Sequence, residues 1–183
     1  SIGEVPLEEQ SADDTLNLSL TKVETAQLQA MAGQAEATLS NVVELAWGIV
    51  LQRYNRTDDV VFVKVVSCRD KDGEDMSHVV APFINSVPVR IRTKGDDTLL
   101  SALQSTARQA KESNAHDWCA LADIQGQTAL GGELFQSILA FENYPVSEHE
   151  KFHISMEPIS TREESFNEIT LAAFVQDNQL HLR

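Results

Sequence analysis

Leu16, Leu18 and Leu20 alternate with Asn17 and Ser19, the period-two pattern of a short strand with one buried face. Thr21 follows, and Thr21-x-x-Glu24 is a capping box: the threonine hydroxyl accepts the Glu24 amide proton while the glutamate side chain reaches back to the cap amide. A helix is predicted there, with Leu28, Met31 and Ala32 on its apolar stripe. A second helix is predicted to start after Ser40 and end near Tyr54, because Val42, Leu45, Ala46, Ile49 and Val50 recur at the spacing of one buried face. Trp47 on that helix reads as core packing.

After a polar turn at Asn55 to Asp59, Val60-Val61-Phe62-Val63 with Val65-Val66 forms a nearly unbroken apolar run of strand length, which suits a central strand buried on both faces. Lys64 interrupts the run and is expected to snorkel to an edge or face the mouth of a solvent channel, not to act as a catalytic lysine. The segment 86–93 sets Val87, Val89 and Ile91 against Arg90 and Arg92, a strand with one wet face. Gly95-Asp96-Asp97 is a turn, and Asp97 is expected to cap a helix carrying Leu99, Leu100, Leu103, Ala107 and Ala110 to about Ser113. Further strands are predicted over 135–141, 152–158, 166–175 and 179–183. Together the elements predict an α/β fold: a mixed sheet with three main helices on its faces. The last strand reaches Arg183 with no turn or cap beyond it, so the chain is expected to be truncated before the end of its fold. Residues 1–14 read as an acidic linker or arm, and 15–183 as the ordered lobe.

Composition narrows the partners. The 183 residues are 42% hydrophobic and 23% charged, as in ordinary globular proteins. A formal charge of -14 repels phosphate backbones and anionic lipid, which speaks against nucleic acid and membrane surfaces as partners. No run approaches the ~20 apolar residues of a membrane span, and Glu4, Glu8 and Glu9 stand where a leader peptide has basic residues, so a cytoplasmic location is expected. Cys68 and Cys119 form no C-x-x-C pair and are expected to be two buried thiols.

The chemistry-bearing motifs are few. His149-Glu150-Lys151-Phe152-His153 is a literal H-E-x-x-H, with Glu168 downstream where a zinc peptidase would place a third ligand. That chemistry requires a helix, to set both imidazoles on one face with the glutamate over the metal-bound water. Pro145 and the strand patterns on either side oppose a helix, so the motif reads as a charged loop, with the peptidase as an outlying alternative and no metal site expected. His78 and His116 have neither a second histidine nor a nucleophile beside them in sequence, and Ser67, Ser86 and Ser105 lack a G-x-S-x-G elbow. The chain therefore offers no self-contained catalytic set.

Three blocks in order carry a resemblance. Residues 39–69 read LSNVVELAWGIVLQRYNRTDDVVFVKVVSCR, and residues 79–90 read VVAPFINSVPVR. The third block is His116-Asp117-Trp118, then LADIQ at 121–125 and LFQSILAFENYP at 134–145. Together they resemble the C-terminal lobe of the condensation domains of nonribosomal peptide synthetases. The resemblance implies a lobe of the chloramphenicol acetyltransferase-like fold, a two-layer α/β sandwich, facing an N-terminal lobe across a cleft. It implies amide-bond formation between acyl and aminoacyl groups held as thioesters on carrier proteins. No cofactor is bound directly; the phosphopantetheine arms belong to the carriers. The implied partners are the N-terminal lobe, the peptidyl and aminoacyl carrier proteins and an adjacent adenylation domain.

The family's H-H-x-x-x-D-G loop belongs to the N-terminal lobe and is absent from this sequence. No catalytic residue is therefore assigned, and the chain alone is expected to be inert. By resemblance Ser67, Arg69, Asn85 and His116 border the cleft, although Asn85 can equally bond backbone in a turn and Arg69 can tie strand to loop. Val63, Cys68 and Ala81 stand where the family usually has glycine, so their side chains could narrow the tunnel, mark a non-catalytic domain or be absorbed by repacking. The alternatives are a non-catalytic lobe that docks carriers and the matching lobe of an epimerisation or cyclisation domain. An isolated lobe that exposes apolar cleft surface is expected to self-associate.

Overall fold

The computed structural model describes residues 15–68, 79–142 and 169–183. In chain order the elements are β1 (Leu18–Ser19), α1 (Lys22–Gln34), α2 (Leu39–Asn55), β2 (Asp59–Ser67), β3 (Ile84–Arg92), α3 (Leu99–Asn114), α4 (Leu121–Gly126), β4 (Ser137–Glu142), β5 (Ile169–Gln176) and β6 (Gln179–Leu182). The strands form one mixed sheet in the order β1-β6-β5-β4-β2-β3. Strands β2, β4 and β5 run parallel; β3, β6 and β1 pair antiparallel to their neighbours. The expected α/β class and mixed sheet are what the chain adopts. The strand expected over 152–158 lies outside the described residues.

Sheet register decides which side chains meet the helices. Phe62 pairs with Val89 and Val60 with Ile91, while Lys64 lies beside both Val87 and Leu139. Leu139 in turn sits beside Leu171, and Val175 beside Leu180, so one face carries all of these residues. On it, Phe62, Leu103 of α3, Leu139, Leu180, Ala32 of α1 and Leu45 of α2 join a single buried cluster. The three main helices therefore cover one face of the sheet. Burying this face is the main force holding the layers together.

Local signals set the helix starts. Thr21 accepts the Glu24 amide at 3.2 Å and its own amide reaches the Glu24 carboxylate at 2.8 Å, as the sequence pattern predicts. Those hydrogen bonds to Thr21 hold the Glu24 carboxyl below its ordinary range. A second capping box, Thr38 with Asn41, starts α2 at Leu39. Helix α3 is capped by Thr98, whose hydroxyl accepts the Ser101 amide at 3.1 Å, and not by Asp97. Asp97 instead accepts the Lys94 amide at 2.7 Å and closes the preceding turn.

The apolar stripes read from the sequence are rotated in two helices. Ala46 and Val50 on α2 are exposed, and its buried face runs through Asn41, Glu44, Leu45, Gly48, Leu51 and Gln52. The physical reason is polar anchoring. Gln52 donates to the Asp58 and Ile91 carbonyls at 2.7 and 3.1 Å and accepts from the Thr93 hydroxyl at 3.0 Å, which turns that side inward. On α3, Leu99 and Leu100 are exposed, whereas Leu103 and Thr106 are buried. At the far end of β2, Asp59 accepts from Arg90 Nε at 2.7 Å, and this bond to Arg90 holds its carboxyl below the ordinary range.

Gly48 is where α2 and β3 approach most closely: a Cβ added there would lie 2.4 Å from Ile91 Cγ1 and 2.6 Å from Ile91 Cβ. Alanine normally stabilises a helix interior by about 1 kcal/mol relative to glycine. Here the overlap with a β-branched side chain reverses the sign, and Gly48→Ala is expected to destabilise by about 1–3 kcal/mol. A urea midpoint at or above that of the parent chain would contradict this packing.

Candidate functional site

At the carboxyl ends of β2 and β4 the chain leaves the sheet beside the N-terminus of α2, and the turn after α3 folds over the same corner. In open α/β sheets this is where ligand crevices form. Asn85, at the start of β3, points its side chain to the helix-covered face and donates to the Asp117 carbonyl at 2.5 Å and the Cys119 carbonyl at 2.8 Å. The Cys68 thiol reaches the same Asp117 carbonyl at 3.5 Å, and its amide donates to the Phe83 carbonyl at 2.7 Å. Three segments that lie far apart in sequence are thereby tied at one point.

A cavity of about 340 Å³ opens beside this knot, lined by Ser40, Lys64, Ser67, Asn114, Asp117 and Phe141, with Val65 and Val66. Lys64 does not sit at a sheet edge, because β2 lies between β4 and β3. Its side chain is 13% exposed and its Nζ donates to Glu44 Oε1 at 3.1 Å, the Glu44 side chain being 2% exposed. Ser40 Oγ and Asn41 Nδ2 donate to the same carboxylate, each at 3.3 Å. A lone carboxylate could not be held inside the helix–sheet interface without such donors.

The residues singled out from the sequence divide as follows. Ser67 is exposed and lines the cavity. Asn85 donates to the backbone carbonyls of Asp117 and Cys119 in a distant loop, and not to its own backbone in a turn. His116 is exposed; its amide donates to the Ser113 carbonyl at 2.8 Å and its own carbonyl accepts the Cys119 amide at 2.9 Å. Arg69, His149, His153 and Glu168 lie outside the described residues. Among the described residues no group of three His, Cys, Asp or Glu side chains could hold a metal ion. Cys68 and Cys119 are half-buried free thiols, more accessible than expected.

Of the three residues at usual glycine positions, Val63 is 1% exposed and packs on the sheet face opposite the helices, and Ala81 is exposed. Only Cys68 touches the knot. Asp117 was not singled out from the sequence, although it is 8% exposed and lines the cavity. Its position next to His116 in the third block was the one available signal.

No helix among the described residues is long and apolar enough to cross a membrane. A family model described as "Condensation domain" matches residues 4–183. Tyrocidine synthase 2 of Brevibacillus parabrevis is 39% identical over 134 residues, covering 73% of this chain and 4% of that protein. Bacitracin synthase 3 of Bacillus licheniformis is 32% identical over 169 residues, 90% of this chain and 3% of that protein. The chain thus spans only a few hundredths of the length of these curated relatives.

Among solved structures, a four-domain nonribosomal peptide synthetase bound to AMP and glycine superimposes with a TM-score of 0.74 at 16% identity, over 91% of this chain and 14% of that one. The epimerization domain from the third module of tyrocidine synthetase B gives 0.65 at 14% identity, over 100% of this chain and 45% of that one. At these identities the superpositions speak for the fold.

Proposed function

This chain belongs to the condensation-domain family of nonribosomal peptide synthetases, and on that premise we propose that it is the C-terminal lobe of such a domain. In this reading it supplies one wall of the chamber where two carrier-bound acyl and aminoacyl groups are joined by an amide bond. The observation that carries the reading is that the family match runs through residues 4–183 while the H-H-x-x-x-D-G loop occurs nowhere in the sequence. Proton transfer from an attacking amine needs a base within about 3 Å of the nitrogen. The histidine for that role comes from an N-terminal lobe in the same assembly, and the lobe alone is inert.

Loaded carrier proteins, with their phosphopantetheine arms, and an adenylation domain are the partners in this scheme, and the setting is the cytoplasm. The corner where Ser67, Asn85 and the loop at 116–119, His116 included, converge is the part of the lobe that faces the arms. The fold likeness to an epimerization domain makes that enzyme the second reading, since the same lobe serves either chemistry.

The test is reconstitution. The chain alone, offered a loaded donor and a loaded acceptor carrier, is expected to give no product. Joined to a histidine-bearing N-terminal lobe, it should release the coupled amide. Turnover by the chain alone would overturn the reading, and exchange of the substrate's α-hydrogen with solvent deuterium without coupling would replace it by epimerisation.

A further inference from the structure

Cys68 and Cys119 are the two cysteines of the chain, far apart in sequence, and both are free and half-buried. The fold brings them to the same knot. Cys68 Sγ lies 3.5 Å from the carbonyl oxygen of Asp117, two residues before Cys119. Asn85 Nδ2 donates to that same oxygen at 2.5 Å and to the Cys119 carbonyl at 2.8 Å. Three contacts, none longer than 3.5 Å, thus lead from the sulfur of Cys68 to the backbone of Cys119.

Both backbones are anchored. The Cys68 amide donates to the Phe83 carbonyl at 2.7 Å, and the Cys119 amide to the His116 carbonyl at 2.9 Å. A disulfide needs its two Cα atoms within about 7 Å of each other, and consecutive Cα atoms are about 3.8 Å apart. With one sulfur already against residue 117, the second cysteine is two links along the same short loop. The contact that closure gives up is a weak one, because a thiol is a poor donor and Asn85 keeps its own hold on the Asp117 carbonyl.

We propose that Cys68 and Cys119 are a redox pair, forming a reversible disulfide that fastens the loop at 116–119 to the end of β2. The oxidant is a small-molecule disulfide of the glutathione type. One cysteine thiolate attacks a glutathione sulfur, giving a mixed disulfide and releasing one glutathione thiolate; the other cysteine attacks the protein sulfur of that mixed disulfide, closing the Cys68–Cys119 bond and releasing the second. Two protein thiols are oxidised, one glutathione disulfide is reduced, and the two thiol protons pass to the released glutathiones. In a reducing compartment such a pair stays open and closes when the thiol pool is oxidised. While it is open, the loop is held at this corner by hydrogen bonds alone; closure adds a covalent tie beside the cavity that Ser67 and Asp117 line. The pair works within the 183-residue chain whatever reaction the parent assembly performs.

The test incubates the chain with oxidised glutathione, blocks the remaining thiols with N-ethylmaleimide, and reads intact mass and a tryptic map. A monomer lighter by two hydrogens is expected, carrying neither maleimide nor glutathione, with the peptide at 65–69 joined to the one that begins at Glu112. Dithiothreitol should reverse the change. The ratio of cross-link to mixed disulfide measures the effective concentration of one thiol at the other, and it should fall at least about tenfold when the same reaction is run on the chain unfolded in urea. Closure also constrains the unfolded chain, so the oxidised protein is expected to melt about 4–10 °C above the reduced one. Glutathione adducts without a cross-link, a cross-link found only in disulfide-linked dimers, an undiminished ratio in urea, or an oxidised chain that melts below the reduced one would each overturn the proposal.

Discussion

Lys64→Met is expected to lower the unfolding free energy by about 3–5 kcal/mol, the loss typical of breaking a buried ion pair from one side. The substitution retains the aliphatic stem and so leaves packing nearly intact, but it strands the Glu44 carboxylate, 2% exposed, inside the helix–sheet interface. Ser40 and Asn41 still donate to that carboxylate at 3.3 Å, yet neutral donors do not cancel a buried charge. Adding Glu44→Leu to the same chain removes the stranded charge and should recover at least half of the loss, because an apolar pair of similar volume is often as stable as the ion pair it replaces. Urea unfolding of the parent, both single variants and the double variant measures the coupling directly. A Lys64→Met loss below about 1 kcal/mol, the range of exposed pairs, would mean that water reaches Glu44 and that the interface is not closed there.

This pair also shows where sequence reading stops. The run around Lys64 was legible as a central strand, the Thr21 capping box as a helix start, and the alternation of β3 as a strand with one wet face, because each of these is a local pattern with a local cause. What Lys64 does was not legible, because its partner lies one element away on α2 and only the sheet register brings the two together. The same limit rotated the stripe of α2. A hydrophobicity count leaves out Asn41, Glu44 and Gln52, which are buried because each has hydrogen-bond partners, and it admits Val50, which is 53% exposed. Asp97 and Thr98 are adjacent and both good caps, so the choice between them fell to the turn that needs an acceptor for the Lys94 amide.

The candidate site was legible through resemblance and only in part. Ser67 and Asn85 stood in blocks that could be recognised, and the structure sets one at the cavity and the other at the knot beneath it. Asp117 carries no local signature: an aspartate after a helix is ordinarily a solvated turn residue. Its backbone carbonyl is held by Asn85 and Cys68, which approach from two other segments and were not readable as neighbours.

Phe62→Ala should cost about 3–5 kcal/mol, the usual range for emptying a large aromatic site in a core. Phe62 is 0% exposed and lies on β2 opposite Val89, with α2 packed above. Two effects could lower stability in this variant, the cavity and the poorer strand propensity of alanine, and the second spans no more than about 1 kcal/mol. Any loss beyond that is packing. Phe62→Leu separates the two further, since it keeps much of the volume while also giving up the aromatic strand preference, and it should be clearly milder. Trp47 is the natural reporter: its indole donates to Ser137 Oγ at 3.0 Å across the α2–β4 contact, whereas Trp118 is 67% exposed and senses little of the core. If Trp47 fluorescence and the far-ultraviolet signal unfold together at the lowered midpoint, helix layer and sheet melt as one unit. If the fluorescence transition comes first, α2 can leave the sheet while the strands remain paired, and the corner that holds Lys64 and Asp117 would open before the rest of the lobe.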